Sequence, residues 1–305
     1  MTDLFKLIFG VLGSMPRPSL SETKIALTLL CRNEADIVGR NIEFHLATGV
    51  DFIIVTDNSS DDETVRVVEN YVRQGRVELI HQPRLTHDQA IWVTEMARRA
   101  ALRGADWVIN SDADEFWWPA NGTLRSALST VPSSVLALEV KRNNFPPCQV
   151  GGPDFVDRMI YRDAQSLNSL GMPLPSKIIH RASSDVEVED GNHAARFSNR
   201  IVNPAPADDI EILHFPMRSF EQFSRKVILG TAALESNTRI DSTVGGTWRH
   251  IYHQYYKTGQ LRDYYLRHEL TDDVIRRRIG DETLIADTRL RDFIARTRLP
   301  AAVPI

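Results

Sequence analysis

The chain has 305 residues, 42% of them hydrophobic and 25% charged, enough to bury a core of ordinary size in one long α/β domain or two shorter ones. Its 36 Lys and Arg against 40 Asp and Glu leave a net charge of −4. That excludes the basic footprint of a nucleic-acid binder and the composition of an acidic disordered tail. The two cysteines, Cys31 and Cys148, fit no metal or redox spacing and build no disulfide framework, so a reducing compartment is expected.

Leu4 to Leu12 is greasy but too short to cross a bilayer. It lacks the basic start and small-residue cleavage site of a secretory signal. A short terminal helix packed on the body is expected in preference to an interfacial anchor at the inner membrane face. Met15-Pro16-Arg17-Pro18-Ser19 reads as a stiff linker, which sets residues 1–21 apart.

From Lys24 the pattern becomes regular. Lys24 to Leu30, Phe52 to Val55, Val77 to Ile80 and Trp107 to Ile109 read as buried strands. Between them run helices over 36–48, over a segment opened by a Ser60-x-x-Glu63 capping box, and over 88–103. Strand starts near 24, 52, 77 and 107 recur at the length of a strand plus a crossover helix. An open, mostly parallel sheet flanked by helices follows. Further strands are expected at 135–140, 177–180, 186–188 and 210–213, with mostly loop over 143–176. A helix opens at Ser219, and residues 247–297 read as helical. The α/β domain is therefore placed at 22–235, with a C-terminal helical extension at 236–305.

Ligands bind such sheets beyond the carboxyl ends of the strands. There the sequence places Cys31-Arg32-Asn33-Glu34, Thr56-Asp57-Asn58-Ser59-Ser60-Asp61 and Asp112-Ala113-Asp114-Glu115. No glycine-rich dinucleotide or phosphate-binding loop is present. In extended backbone Asp112 and Asp114 point the same way. Two converging carboxylates repel unless a cation lies between them, and Mg²⁺ or Mn²⁺ would in turn hold a diphosphate.

These runs, with Asp112-Ala113-Asp114-Glu115-Phe116 and the later block His214-Phe215-Pro216-Met217-Arg218-Ser219-Phe220-Glu221-Gln222-Phe223, resemble glycosyltransferases of the family 2 type. More narrowly, they resemble the subgroup related to family 92. The resemblance spans roughly residues 22–265 and implies the GT-A fold and sugar transfer, with inversion, from a nucleoside-diphosphate sugar, by default UDP-linked. It places Arg32, Asn33 and Glu34 beside the nucleoside. Asp57 would read the base, with Asn58 next to it, and Asp112 and Asp114 would make the ribose and metal contacts. Thr56-Asp57-Asn58-Ser59 departs from the paired Asp and Gly of many family 2 members, which leaves base identity open.

His214 is expected as a third metal ligand, and its imidazole tilts the choice toward Mn²⁺ over Mg²⁺. Arg218 stands before a helix opened by Ser219 and Gln222, a natural anion site. With Lys177 it would stabilise the leaving diphosphate. Asp190 is the first candidate for the base that deprotonates the acceptor, then Glu189, then Glu115, which can instead orient the metal ligands. An Asp-Gly hairpin turn accounts for Asp190-Gly191 equally well. Trp117, Trp118 and His193 are candidates for the acceptor side, with core packing the competing role of the tryptophans. Tyr252, Tyr255 and Tyr256 with Arg249 read first as a packing stripe, and Arg276-Arg277-Arg278 as a solvated face.

The expected function is metal-dependent glycosyl transfer to a glycan or lipid-linked acceptor. No nucleic-acid partner is expected, and the place is the cytoplasm or the inner face of the membrane. Two readings compete. A metal-dependent phosphohydrolase would carry its Asp-x-Asp after the first strand rather than the fourth, and an inactive sugar-nucleotide-binding module differs only in turnover.

Overall fold

The computed structural model describes residues 23–86, 88–239, 241 and 244–297. The terminal helix, the proline linker and the segment 1–21 expected from the sequence lie outside them. The first half alternates strand and helix: β1 (Ile25–Cys31), α1 (Val38–Ala47), β2 (Phe52–Asp57), α2 (Thr64–Val72), β3 (Val77–His81), α3 (Gln89–Leu102) and β4 (Trp107–Asp112). Next come β5 (Glu115–Pro119), α4 (Leu124–Ser129), β6 (Ala137–Val140), β7 (Arg142–Asn144), α5 (Phe155–Arg158) and β8 (Tyr161–Asp163). β9 (Lys177–Arg181), β10 (Val186–Val188), β11 (Ala195–Phe197), β12 (Arg200–Ile201), β13 (Ala205–Pro206) and β14 (Ile210–His214) follow. The chain continues with α6 (Phe220–Ser236), α7 (Gly246–Ile251), α8 (Leu261–His268), α9 (Asp272–Gly280), β15 (Leu284–Ala286) and α10 (Arg289–Thr297).

The main sheet has the order β13-β6-β9-β4-β1-β2-β3. β4, β1, β2 and β3 are parallel, as the spacing of the strands predicts. β9 then runs antiparallel between β4 and β6. Alternation of side chains explains the two covered faces. Leu27 and Leu29 of β1, Ile53 and Val55 of β2, and Trp107 and Ile109 of β4 join α1 and α2 in one core. Ala26, Ile54 and Val108, one residue out of phase, join α3 in the other. This is an open, mostly parallel sheet flanked by helices.

A second, small sheet of order β5-β14-β7 sits beyond the end of β4. Its register sets His214 opposite Glu115 and beside Asn144. Residues 107–119 are thus a strand, a two-residue turn and a second strand that changes sheet. Asn41 on α1 holds that turn. It is fully buried, and its side-chain amide donates to the carbonyls of Ala113 (3.0 Å) and Glu115 (2.7 Å). His45, one helical turn on, accepts the Trp117 N–H at Nε2 (3.2 Å).

Two expectations need correction. The Ser60 capping box does not form: α2 begins at Thr64, and the Ser60 hydroxyl accepts the Asn33 N–H (2.8 Å) while Asp62 Oδ1 accepts the Thr64 N–H (2.9 Å). A cross-loop contact has taken the hydroxyl that the local motif would use. The segment after 236 is not only helical, because β15 pairs with β8. Leu290 and Ile294 of α10 enter the main core.

Asn41→Ala should leave two buried carbonyls without their donor and cost about 2 kcal/mol. Urea denaturation would show this as a lower midpoint with unchanged slope. An unshifted midpoint would mean that α1 does not hold the turn.

Candidate active site

The geometry of Asp112 to Glu115 differs from that of an extended Asp-x-Asp. Because the chain turns at Ala113 and Asp114, the carboxylates meet different cations. Lys177 Nζ of β9 lies 2.5 Å from Asp112 Oδ2 and 2.9 Å from Glu115 Oε2. Lys226 Nζ of α6 lies 2.5 Å from Asp114 Oδ2 and 3.6 Å from Glu34 Oε1. Burial alone would raise both aspartate pKa values, but the lysines outweigh it. Lys177 lowers that of Asp112, and Lys226, with Arg218, holds Asp114 well below the ordinary range. Glu115 is different: burial raises its pKa to about 7 against the pull of Lys177. With no solvent exposure it positions Lys177 rather than meeting an acceptor.

His214, which the sequence proposes as a metal ligand, ends β14 beside Asp114. Burial lowers its pKa to about 3, although Asp114 opposes the shift. The ring is therefore neutral. Nδ1 donates to Asn144 Oδ1 (3.1 Å), which turns the lone pair of Nε2 toward Asp114 Oδ1 at 3.9 Å. Two acceptors facing each other with no proton between them suit a cation. Asp112, the other carboxylate expected as a ligand, is engaged by Lys177 instead. Among the described residues no group of three or more His, Cys, Asp and Glu side chains is gathered for a metal. The residues fit a divalent ion held by Asp114 and His214, with its other positions left to phosphate and water.

Beside this turn lies a cavity of about 320 Å³, with the ends of β1, β2 and β4 as its floor and α6 as its roof. Arg32, Asn33, Glu34, Asn58, Asp112 and Lys226 are among its lining residues. Three buried polar atoms at the strand ends have no hydrogen-bond partner among the described residues: Arg32 Nε, Asn33 Nδ2 and Asp57 Oδ1. The other Asp57 oxygen accepts the Ser60 N–H at 3.2 Å. Asn33 (φ 57°) and Ser59 (φ 56°) take up left-handed backbone here. Such strain in non-glycine residues is common at ligand sites.

Arg218 is not the free anion-binding group expected from its place before a helix. It is 3% exposed. It donates to Asp36 Oδ2 (2.6 Å) and Oδ1 (2.8 Å), to the Phe215 carbonyl (3.0 Å) and to Glu34. Burial works against its charge, but Asp36 and Glu34 more than offset this and raise its pKa. Arg218 is a clamp from the start of α6 to the loop after β1. Lys177, 1% exposed, is likewise an internal counter-ion.

The remaining expected residues separate in the same way. Ser219 caps α6 as predicted, accepting the Gln222 N–H (3.1 Å), while Gln222 Oε1 accepts the Arg218 N–H (3.1 Å). Asp190 Oδ1 accepts the Ala90 N–H in the first turn of α3 (3.1 Å), beside the cavity residue Gln89. Glu189 is instead paired with Arg196 (2.8 Å). His193 Nδ1 donates to the Ser176 carbonyl (2.7 Å). Trp117 is no acceptor platform: it is fully buried, with Nε1 donating to Ser111 Oγ (3.0 Å). Trp118 packs away from the cavity, on Phe44 and Phe293, with Arg289 over its ring at 5.4 Å. Sequence reasoning missed Lys226 and Asn144. The signal for Lys226 was the helical stripe 219, 222, 226, which carries the Ser219 cap's face along α6.

The model of glycosyltransferase family 92 matches residues 31–193. No curated protein matches the chain. Among solved structures, S. aureus TarS 1-349 in complex with UDP-GlcNAc is 13% identical over 78% of this chain and 75% of that one, with a TM-score of 0.44. A second structure of S. aureus TarS 1-349 is 15% identical over 78% and 74%, with a TM-score of 0.42. Glucosyl-3-phosphoglycerate synthase from Mycobacterium tuberculosis, in complex with Mn²⁺, UDP and glucosyl-3-phosphoglycerate, is 19% identical over 40% and 45%, with a TM-score of 0.28.

Buried neutral histidines give the fold an acid limit. Burial lowers the pKa of His45 to about 3 and that of His180 to about 4, from 6.5. Below pH 6.5 the unfolded chain therefore binds more protons than the folded one, and stability falls as pH drops. His214 and His193, lowered by burial to about 3 and about 4, add in the same sense, while Glu115, raised to about 7 by burial, and Glu34 and Glu43, also raised by burial, work in the opposite sense. Denaturation midpoints at constant ionic strength should be lower at about pH 5 than at about pH 7. An equal or higher midpoint in acid would show that these rings are not held neutral.

Proposed function

The chain belongs to glycosyltransferase family 92, and on that premise we propose that it transfers a sugar from a UDP-linked donor to a hydroxyl of a glycan or lipid-linked acceptor, with inversion. The observation that carries this reading is the cavity at the strand ends. One side is lined by Arg32, Asn33 and Asn58 at the ends of β1 and β2, and the unpartnered Asp57 Oδ1 is buried next to Asn58. The other borders the turn where Asp114 faces neutral His214. The family sets aside the phosphohydrolase reading.

In this reading the nucleoside lies across the ends of β1 and β2, with Asp57 accepting a base N–H. Asp114 and His214 would hold Mn²⁺ or Mg²⁺, which when bound supplies positive charge for the diphosphate. Lys226, already in the cavity wall and bonded to Asp114, can direct its remaining N–H groups at the same phosphates. Asp190 takes the proton of the acceptor hydroxyl. The acceptor oxygen bonds to the anomeric carbon from the face opposite the diphosphate, and the carbon–oxygen bond of the donor breaks with its electron pair on the diphosphate. Asp190 is steadied by the Ala90 N–H on one oxygen, which leaves the other for the proton. The two buried free cysteines suit a cytoplasmic place. No helix among the described residues is long and apolar enough to cross a membrane.

Thermal unfolding with UDP and Mn²⁺ tests the donor site. At 100 times Kd the ligand should add about 2.7 kcal/mol, an effect that Asp114→Ala should lose. A wild-type protein with no shift from UDP plus Mn²⁺ would overturn the reading. Lys226→Met should move the two ligands in opposite directions. Mn²⁺ alone, followed by electron paramagnetic resonance, should bind more tightly because Asp114 has lost a competing cation, while UDP binds more weakly. Asp190→Asn should lower kcat by about 10²–10⁴ with UDP binding unchanged, and near-normal turnover would remove Asp190 as the base.

A further inference from the structure

Beneath the second half of α6 the cavity changes character. The polar strand ends give way to Trp92, Leu229, Gly230, Ala233, Leu234 and Trp248. Trp92 of α3 is almost fully buried and forms a back wall. Trp248 of α7 is tied to α6 by the Thr231 hydroxyl, which donates to its carbonyl (3.3 Å). Lys226 Nζ lies 5.6 Å from the centre of the Trp248 ring and also bonds Asp114. The apolar arm therefore opens beside the group that the donor diphosphate would meet.

Gly230 marks the arm as a place where room is needed. It lies inside the 17-residue helix α6, and its backbone is not left-handed. A Cβ added there would meet no atom within 4 Å. A mid-helix glycine is about 1 kcal/mol less favourable than alanine. Neither backbone conformation nor crowding by the protein accounts for it, and what it leaves open is the cavity. A bare sugar would leave hydroxyls unpaired against these walls, whereas an alkyl or aryl group would bury its surface there.

We infer that this arm is the acceptor subsite, that it takes an acceptor carrying an alkyl or aryl group next to the reacting sugar, and that Gly230 sets its width. The inference rests on the donor site proposed above. It deepens that reading by assigning the acceptor's chemical class.

The test uses n-octyl β-D-glucoside below its micelle concentration and methyl β-D-glucoside as probes. Each is titrated by calorimetry into the full chain with UDP and Mn²⁺ present. The octyl glucoside should bind at least about tenfold more tightly, a difference of about 1.4 kcal/mol. Gly230→Leu should erase that preference while the thermal shift with UDP is kept. Gly230→Ala should raise the melting temperature, as helix propensity requires, yet weaken octyl binding. That split would not follow from a purely structural glycine, and this variant keeps the test decisive if Gly230→Leu fails to fold. Equal binding of the two glucosides to the wild type, or an octyl preference that survives both substitutions, would overturn the inference. Loss of the UDP shift in Gly230→Leu would also overturn it, by giving the arm to the nucleotide. A wild type that binds the octyl glucoside preferentially without any response to UDP would sink the donor reading while leaving the arm's apolar preference standing.

Discussion

Four carboxylates, three of them buried, crowd one edge of the sheet. Glu34 follows β1, Asp112 ends β4, Asp114 forms the turn and Glu115 opens β5. Left alone they would repel one another and raise each other's pKa. They are neutralised by Lys177, Arg218 and Lys226, all from the second half of the chain. Breaking one such buried pair typically costs about 3–5 kcal/mol. The ends of the first half therefore depend on β9 and α6, and the two halves form one site.

That arrangement explains why β9 runs antiparallel in an otherwise parallel region. Lys177 is its first residue, and the reversed direction puts it at the end of the sheet where β4 finishes. Likewise β14 runs antiparallel to β5 so that His214 ends beside Glu115 and the turn. The chain then passes through Pro216 to Arg218 and into α6. The start of α6 is clamped to the loop after β1, and its middle reaches Asp114. One helix is thus cap, roof and source of charge.

The site is poised rather than neutral. Lys226 satisfies Asp114 from one side, and the neutral His214 faces the carboxylate's other oxygen. A cation and a diphosphate arriving together would redistribute these contacts without introducing an unpaired buried charge. The orphan atoms of Arg32, Asn33 and Asp57 form a separate group at the strand ends, with hydrogen bonds left unmet by the described residues.

Much of this was legible in the residues. The apolar runs starting near 24, 52, 77 and 107 determined the parallel sheet, because period and spacing are local properties of a chain. The polar clusters that follow those runs determined which edge would carry chemistry, and the Ser219 cap came through unchanged. Tertiary structure alone decided what each charged side chain would touch. Ser60 lost its capping role to Asn33, Arg218 was captured by Asp36 and Glu34, Trp117 went into the core, and Lys226 came forward from the middle of a helix. A hydroxyl, a guanidinium or an ammonium serves whichever partner lies within about 3 Å. That choice is made by elements more than a hundred residues apart, as with Lys226 and Asp114.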